Sequence, residues 1–210
     1  MCIRICCHGI CRPGGENAFY AIIRASRRLG FVMKIFGIGL NKTGTKSLGS
    51  SLRTLGFNHL SWTPEVFDIY TKHGIEGLLG IIEQYDSFED WPWPLVFREI
   101  DEMVPGSKFI LTLRESPERW YESLCKHSMR TGPTHIRKHI YGYEMPHGHK
   151  AEHIRFYDEH IDNVRSHFSG RPGDLLEVCW GKGDGWAELA SFLGRSAPGL
   201  PFPHENKSAN

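Results

Sequence analysis

The chain lacks most of the features that would mark a membrane, nucleic-acid or metal protein. No run approaches the ~18 consecutive apolar residues of a membrane-spanning helix. Lys plus Arg number 25 against 24 Asp plus Glu, a net charge of +1, so bulk charge does not call for a polyanion or a membrane surface. Cysteine is scarce beyond the start: of six, four stand at Cys2, Cys6, Cys7 and Cys11, without the paired Cys-x-x-Cys spacing of a structural zinc site. Cys125 and Cys179 fall in apolar stretches and read as core thiols, kept reduced in a cytoplasmic protein. There are no internal repeats and no low-complexity tracts. What remains is 210 residues with six Trp, enough for one packed domain, and twelve His that set the charge near pH 6 more than usual.

The first 32 residues differ from the rest. They carry Arg4, Arg12, Arg24, Arg27 and Arg28 against the lone acid Glu16, with no strand–helix rhythm. We expect them to lie outside the functional fold, as a leader or a mis-assigned start before Met33, and residues 33–210 to form one domain.

The richest segment is Lys34–Ser47, KIFGIGLNKTGTKS. Lys34–Ile38 has the apolar pattern of a buried strand. Gly39 opens a turn, and Lys42, Thr43, Gly44, Thr45 and Ser47 crowd into the start of a helix marked by Leu48, Leu52 and Leu55 on one face. A strand, a small-residue loop and a helix N-terminus make an anion site, because free N–H groups and the helix dipole point at the bound charge. The loop departs from the nucleotide-binding Walker A pattern: Asn41, not Gly, precedes Lys42, and Thr45 intrudes between Gly44 and Lys46. No separate apolar strand ends in an Asp suited to Mg²⁺. Ordinary Thr and Ser capping would need fewer small polar residues than stand here.

Further along, strands are expected near Phe57–Leu60, at Asp86–Glu89 as a strand edge, at Ser107–Leu113 and at Asp174–Val178. Thr63 and Pro64 read as an N-cap and first helical residue of helical material reaching about Gln84, broken near Gly74. Helices are expected at Pro94–Met103 and Pro117–Lys126, through the three-four spacing of Ile154, Tyr157, Ile161, Val164 and Phe168, and at Gly185–Leu193. Residues 129–150 read as a long loop rich in His, Gly and Pro, suited to a lid or acceptor wall. Strands alternating with helices give an α/β fold with a mainly parallel sheet flanked by helices, whose ligands lie at the carboxyl ends of the strands.

The segments KIFGIGLNKTGTKSL, SFEDWPWP, PGSKFILTLRESPERWYESL and GDGWAELASFLG, in that order, resemble the P-loop sulfotransferase family, and within it the compact, bacterial-type branch. The resemblance covers Lys34 to about His204 and implies a P-loop NTPase-like three-layer fold. It implies transfer of a sulfuryl group from 3'-phosphoadenosine 5'-phosphosulfate (PAPS, leaving PAP) to an acceptor hydroxyl or amine. Asn41–Ser47 would be the phosphosulfate loop, with Lys42 at the leaving 5'-phosphate. Asn41, Thr43, Gly44, Thr45, Lys46 and Ser47 would supply backbone and hydroxyl contacts. No metal is then required, since one cation and a helix N-terminus can meet the charge developing on the leaving group.

The family holds the 3'-phosphate with an Arg at a strand end and a Ser on the next helix. Arg114 matches. The Ser position, eight residues on, is Glu122 here, so Ser123 is assigned if RESPERW carries a bulge. Lys182, in KGDGW, is a further candidate contact. Asp90 occupies the place of the family's His general base, with Glu89, Glu99 and His59 as alternatives; a carboxylate there needs a raised pKa, which neighbouring Trp residues can supply. Eight of the twelve His lie between His127 and His167. His147, His149 and His153 imitate a metal cluster but lack a partner in fixed spacing. The acceptor would be a small molecule or glycan, with no nucleic acid or membrane partner. The rivals are a P-loop small-molecule kinase and a catalytically inactive PAP- or PAPS-binding module.

Overall fold

A computed structural model describes residues 33–205, and the expectation about residues 1–32 lies outside them. Five strands form one sheet: β1 (Ile35–Gly37), β2 (His59–Leu60), β3 (Ser87–Glu89), β4 (Lys108–Thr112) and β5 (Leu175–Val178). Their order is β2-β3-β1-β4-β5, and every pairing is parallel. A parallel sheet needs crossover helices on its faces. These are α1 (Thr45–Thr54), α2 (Pro64–His73), α3 (Leu79–Gln84), α4 (Phe97–Met103), α5 (Pro117–Thr131), α6 (His135–Tyr141), α7 (Lys150–Phe168) and α8 (Trp186–Phe192).

Period-two alternation splits the core into two layers. Phe36, Phe88, Phe109 and Leu111 face a cluster with Phe67 of α2, Ile100 of α4, Trp120 of α5 and Val164 of α7. Ile35, Ile110 and Val178 face Leu48 and Leu52 of α1 and Leu189 of α8. Sheet and two helical layers make the three-layer α/β architecture. Thr63 caps α2, accepting from the Val66 N–H at 3.4 Å, with Pro64 at the first position; such a cap contributes about 1 kcal/mol.

Three expectations are corrected. Asp86–Glu89 is not a sheet edge: β3 sits between β2 and β1. The helix expected to end at Lys126 runs to Thr131, where Gly132 at φ 69° stops it. Residues 129–150 are not one loop but contain α6, capped by the Thr134 hydroxyl on the Arg137 N–H and ended by Gly142 at φ 83°. Buried Arg137 holds the turn together, donating to the Glu144 carbonyl at 2.8 Å, to Thr131 Oγ1 at 3.0 Å and to the Gly132 carbonyl.

Beyond α8 the chain returns to α1. The Trp186 indole donates to the Leu200 carbonyl at 2.7 Å, and the Phe202 ring lies 4.5 Å from Trp180 and 5.1 Å from Trp186. The Glu205 N–H then donates to Ser47 Oγ at 3.0 Å.

Candidate active site

The loop between β1 and α1 is held from several directions. The Thr43 hydroxyl donates to the Leu40 carbonyl at 2.5 Å and accepts from Thr112 at 2.6 Å. The Asn41 carbonyl accepts from the Trp120 indole at 2.8 Å, and its side-chain oxygen from the Tyr141 hydroxyl at 2.6 Å. His160 donates to the Ile38 carbonyl at 2.7 Å. Trp180 lies against the Cα of Gly44 and donates to its carbonyl at 3.2 Å. Gly44, at φ 97°, precedes the first turn of α1, which has no side-chain cap and no acidic residue. Its N–H groups are therefore open to an anion.

Lys42 and Asp90 are the two non-glycine residues with positive φ among those described, at 70° and 68°. The left-handed region costs an L-residue about 1–2 kcal/mol, and such strain gathers at functional sites. Asp90 follows β3 and accepts from the Thr45 hydroxyl at 2.9 Å and the Trp91 N–H at 3.0 Å. Burial pushes its carboxyl above the usual range, against the pull of those donors and of Lys42 and Lys46. Glu89 beside it is 1 % exposed, and its Oε2 has no hydrogen-bonding partner. Burial first, then the Asp90 charge, push its pKa up to about 8.

Lys42 is surrounded by cations. Burial lowers its pKa first, then the Arg130 guanidinium, with Lys46 and Arg114 adding and Asp90 opposing. Burial first, then Lys42, Arg137, Arg130 and Lys46, push His127 down to about 4, so it is neutral. This concentration of positive charge calls for an anion of several charges.

Arg114 follows the carboxyl end of β4. Its ion pair with Glu115, at 3.1 Å, is about one-third exposed on both sides, a weak tie that a phosphate can displace. Arg114 lines a cavity of about 450 Å³ together with Ser116, Tyr157, Asp158, Asp162 and Lys182. Arg114 and Lys182, remote in sequence, thus share one cleft.

A model of the sulfotransferase domain matches residues 34–141 and 127–210, together the whole chain from residue 34 on. The chain belongs to the sulfotransferase domain family. A curated relative from Aspergillus versicolor, "Ava biosynthesis cluster protein M", is 27 % identical over 213 residues, covering 82 % of this chain and 80 % of its own.

Within this sulfotransferase domain the expected residues divide. Lys42, Gly44, Thr45, Lys46 and Asp90 meet around the loop. Thr43 is 1 % exposed and turned inward, Ser47 Oγ is engaged by the Glu205 N–H, and the Asn41 amide is held by Tyr141, so the three side chains shape the loop. Ser123 lies about 9 Å along α5 from its start and does not line the cavity, whereas the cap Ser116 does. Glu99 is exposed on α4, facing Tyr70. His59 is half-buried on β2, with its Nε2 shielded from solvent. His149 stacks on Tyr143 and accepts from His153 through its carbonyl at 2.7 Å; among the described residues no His, Cys, Asp or Glu group could hold a metal ion.

Sequence reasoning missed Tyr141, Trp120, Trp180, His127 and Arg130. They reach the site from 79 to 136 residues away in the three measured contacts, where no local spacing announces them.

Proposed function

We propose that this sulfotransferase domain takes PAPS as donor and moves its sulfuryl group to an acceptor hydroxyl or amine by in-line displacement, without a metal. The observation that carries this reading is the pair of basic side-chain groups at neighbouring strand ends. One is Lys42 with the open first turn of α1; the other is Arg114 with Lys182 in the 450 Å³ cavity, which Asp158 and Asp162 also line. Such a pair suits a nucleotide with phosphate on both 5' and 3' positions. PAPS supplies a sulfuryl group whose bond to the 5'-phosphate oxygen is the one that breaks.

Lys42 and the α1 N–H groups stabilise the charge that builds on that oxygen. Asp90 receives the acceptor's proton as the new S–O or S–N bond forms. Asp90 is preferred over Glu89 because the pair divides its protons unequally. Two donors and two lysines favour ionised Asp90, while Glu89 has an unpartnered oxygen and holds its proton up to about pH 8. We assign Asn41, Thr43, Gly44, Thr45, Lys46 and Ser47 to the donor loop, with Ser123 or the nearer Ser116 supporting the 3'-phosphate. We place the reaction in the cytoplasm, where Cys125 and Cys179, both free, stay reduced, and in a single domain spanning residues 33–210.

The test is titration with PAP and AMP without Mg²⁺. PAP should bind at least tenfold more tightly, and Arg114→Ala should erase that advantage while leaving AMP binding intact. Equal affinity in the parent protein would sink the two-site reading.

A further inference from the structure

Glu89 Oε2 and His59 Nε2 are both buried and both lack a hydrogen-bonding partner, and the fold brings them to one spot. His59 pairs in register with Ser87, and its Nδ1 lies 2.9 Å from Ser87 Oγ. Ser87 and Glu89 point to the same sheet face, two residues apart. Both side chains converge on Gly49 of α1. A Cβ there would lie 2.7 Å from His59 Nε2 and 3.4 Å from Glu89 Cγ. A glycine inside a helix is unfavourable relative to Ala, and here it leaves room for these two groups. On the other side of Glu89 stands Gly37, whose Cβ would lie 3.1 Å from Glu89 Cβ.

Two unpaired polar atoms in one buried place are each costly alone and complementary together. A protonated Glu89 offers an O–H, and a neutral imidazole whose Nδ1–H donates to Ser87 offers a lone pair on Nε2. Neither atom meets the other directly, and a buried water is the group that joins two such sites.

We propose that His59 is a positioning residue that keeps the proton of the carboxyl pair on Glu89, through Nε2 and one bridging water, and so leaves Asp90 as the free carboxylate. This rests on the sulfuryl-transfer reading for its purpose, though not for its geometry. The groups facing the pair are Thr45, Lys42 and Lys46 from the loop and α1, Arg53 behind His59, Ser61 and the Trp62 N–H beyond β2, Ser87 on β3, and Tyr141 from α6. Burial, then Arg53, push His59 down to about 3, so the ring is neutral wherever Glu89 titrates.

The test uses PAP as the probe, with its affinity measured calorimetrically from pH 6 to 9.5. In the parent protein, ionisation of Glu89 near pH 8 adds a negative charge beside Asp90 and Thr45 at the edge of the anion loop, and affinity should fall roughly tenfold. Glu89→Gln should remove that fall. His59→Phe should move it down by about one pH unit or more, His59→Gln should restore it, and His59→Phe should have no further effect on a Glu89→Gln background. A fall that stays in place in His59→Phe, or one that shifts on both backgrounds, overturns the proposal.

Urea unfolding against pH decides the same question without nucleotide. Glu89 has a folded pKa above its ordinary 4.5, so the stability it contributes is complete below that value and is lost as pH rises towards 8. That loss should finish at a lower pH in His59→Phe and vanish in Glu89→Gln. An unchanged profile in His59→Phe counts against the proposal. Failure of PAP to bind the parent, with these stability shifts intact, would count against the donor assignment alone.

Discussion

Tyr141→Phe isolates one bond between α6 and the anion loop. The hydroxyl donates to Asn41 Oδ1 at 2.6 Å, and the residue is 8 % exposed. Burial and the Asp90 charge push its pKa well above the ordinary phenol value, so it stays a neutral donor across the working range. Removing it forfeits about 1–1.5 kcal/mol. Asn41 is only half-buried, so water relieves part of the unmet acceptor and keeps the loss at that end of the range. At about 2–4 °C per kcal/mol for a domain of this size, Tm should drop by roughly 2–6 °C. The larger consequence concerns Lys42, held next to Asn41 at φ 70°. Its strain, about 1–2 kcal/mol, matches the worth of the lost bond, so losing the bond shifts the balance towards the relaxed loop by up to about tenfold. Single-turnover transfer from PAPS should slow about 3- to 10-fold, with PAP affinity changed less than about 2-fold, because the nucleotide's phosphates can bind the relaxed loop while transfer needs Lys42 in its formed position. The assay is rapid-quench transfer to any acceptor found by panel screening, beside thermal unfolding. A parent-like rate together with the expected Tm loss would show that the bond stabilises the fold without shaping the loop.

Other perturbations separate the remaining roles. Lys42→Ala should depress turnover by ~10²–10³ with much less effect on PAP affinity, measured as kcat against Kd; near-normal turnover would assign the leaving group to another cation. Asp90→Asn should bind PAP and transfer poorly, and the parent's rate should fall on the acid side of an ionisation above the free Asp value of ~3.9, since burial raises this carboxyl; an Asn variant at the parent rate would move the base to Glu89 or His59. Gly44→Ala would place a methyl group into the Trp180 ring at φ 97° and should cost at least 1–3 kcal/mol in urea unfolding, with lost PAP binding; a folded variant that binds normally would refute the tight seat of the loop on Trp180.

The parts of this fold that were legible in the sequence are those whose signals are local. The β1–loop–α1 unit announces itself within fourteen residues because strand pattern, glycines and hydroxyls sit side by side. Arg114 is readable because FILTL ends directly before it, and α7 because its apolar face repeats over 19 residues. By contrast, α6 has seven residues, too few for a period, and its boundaries rest on Thr134 and Gly142. The inward turn of Thr43 depends on Thr112, and the burial of Glu89 on the glycines at 37 and 49. Neither relation has a spacing. Histidine content alone does not locate the site: the His nearest the acidic pair is His59, outside the His-rich segment.

The anchors of the anion loop have a consequence for how the domain acquires function. Asn41 is tied to Trp120 and Tyr141, Gly44 to Trp180, and Ser47 to Glu205, across separations of 79, 100, 136 and 158 residues. Contacts of such range close late, because long loops must be ordered before they are rewarded. A nascent chain released as far as α7 holds every loop residue and Arg114, yet has neither the Gly44 nor the Ser47 anchor. Donor binding should therefore appear abruptly near the end of synthesis or refolding, after most helical signal has formed. PAP capture would then serve as a clock for completion of the domain.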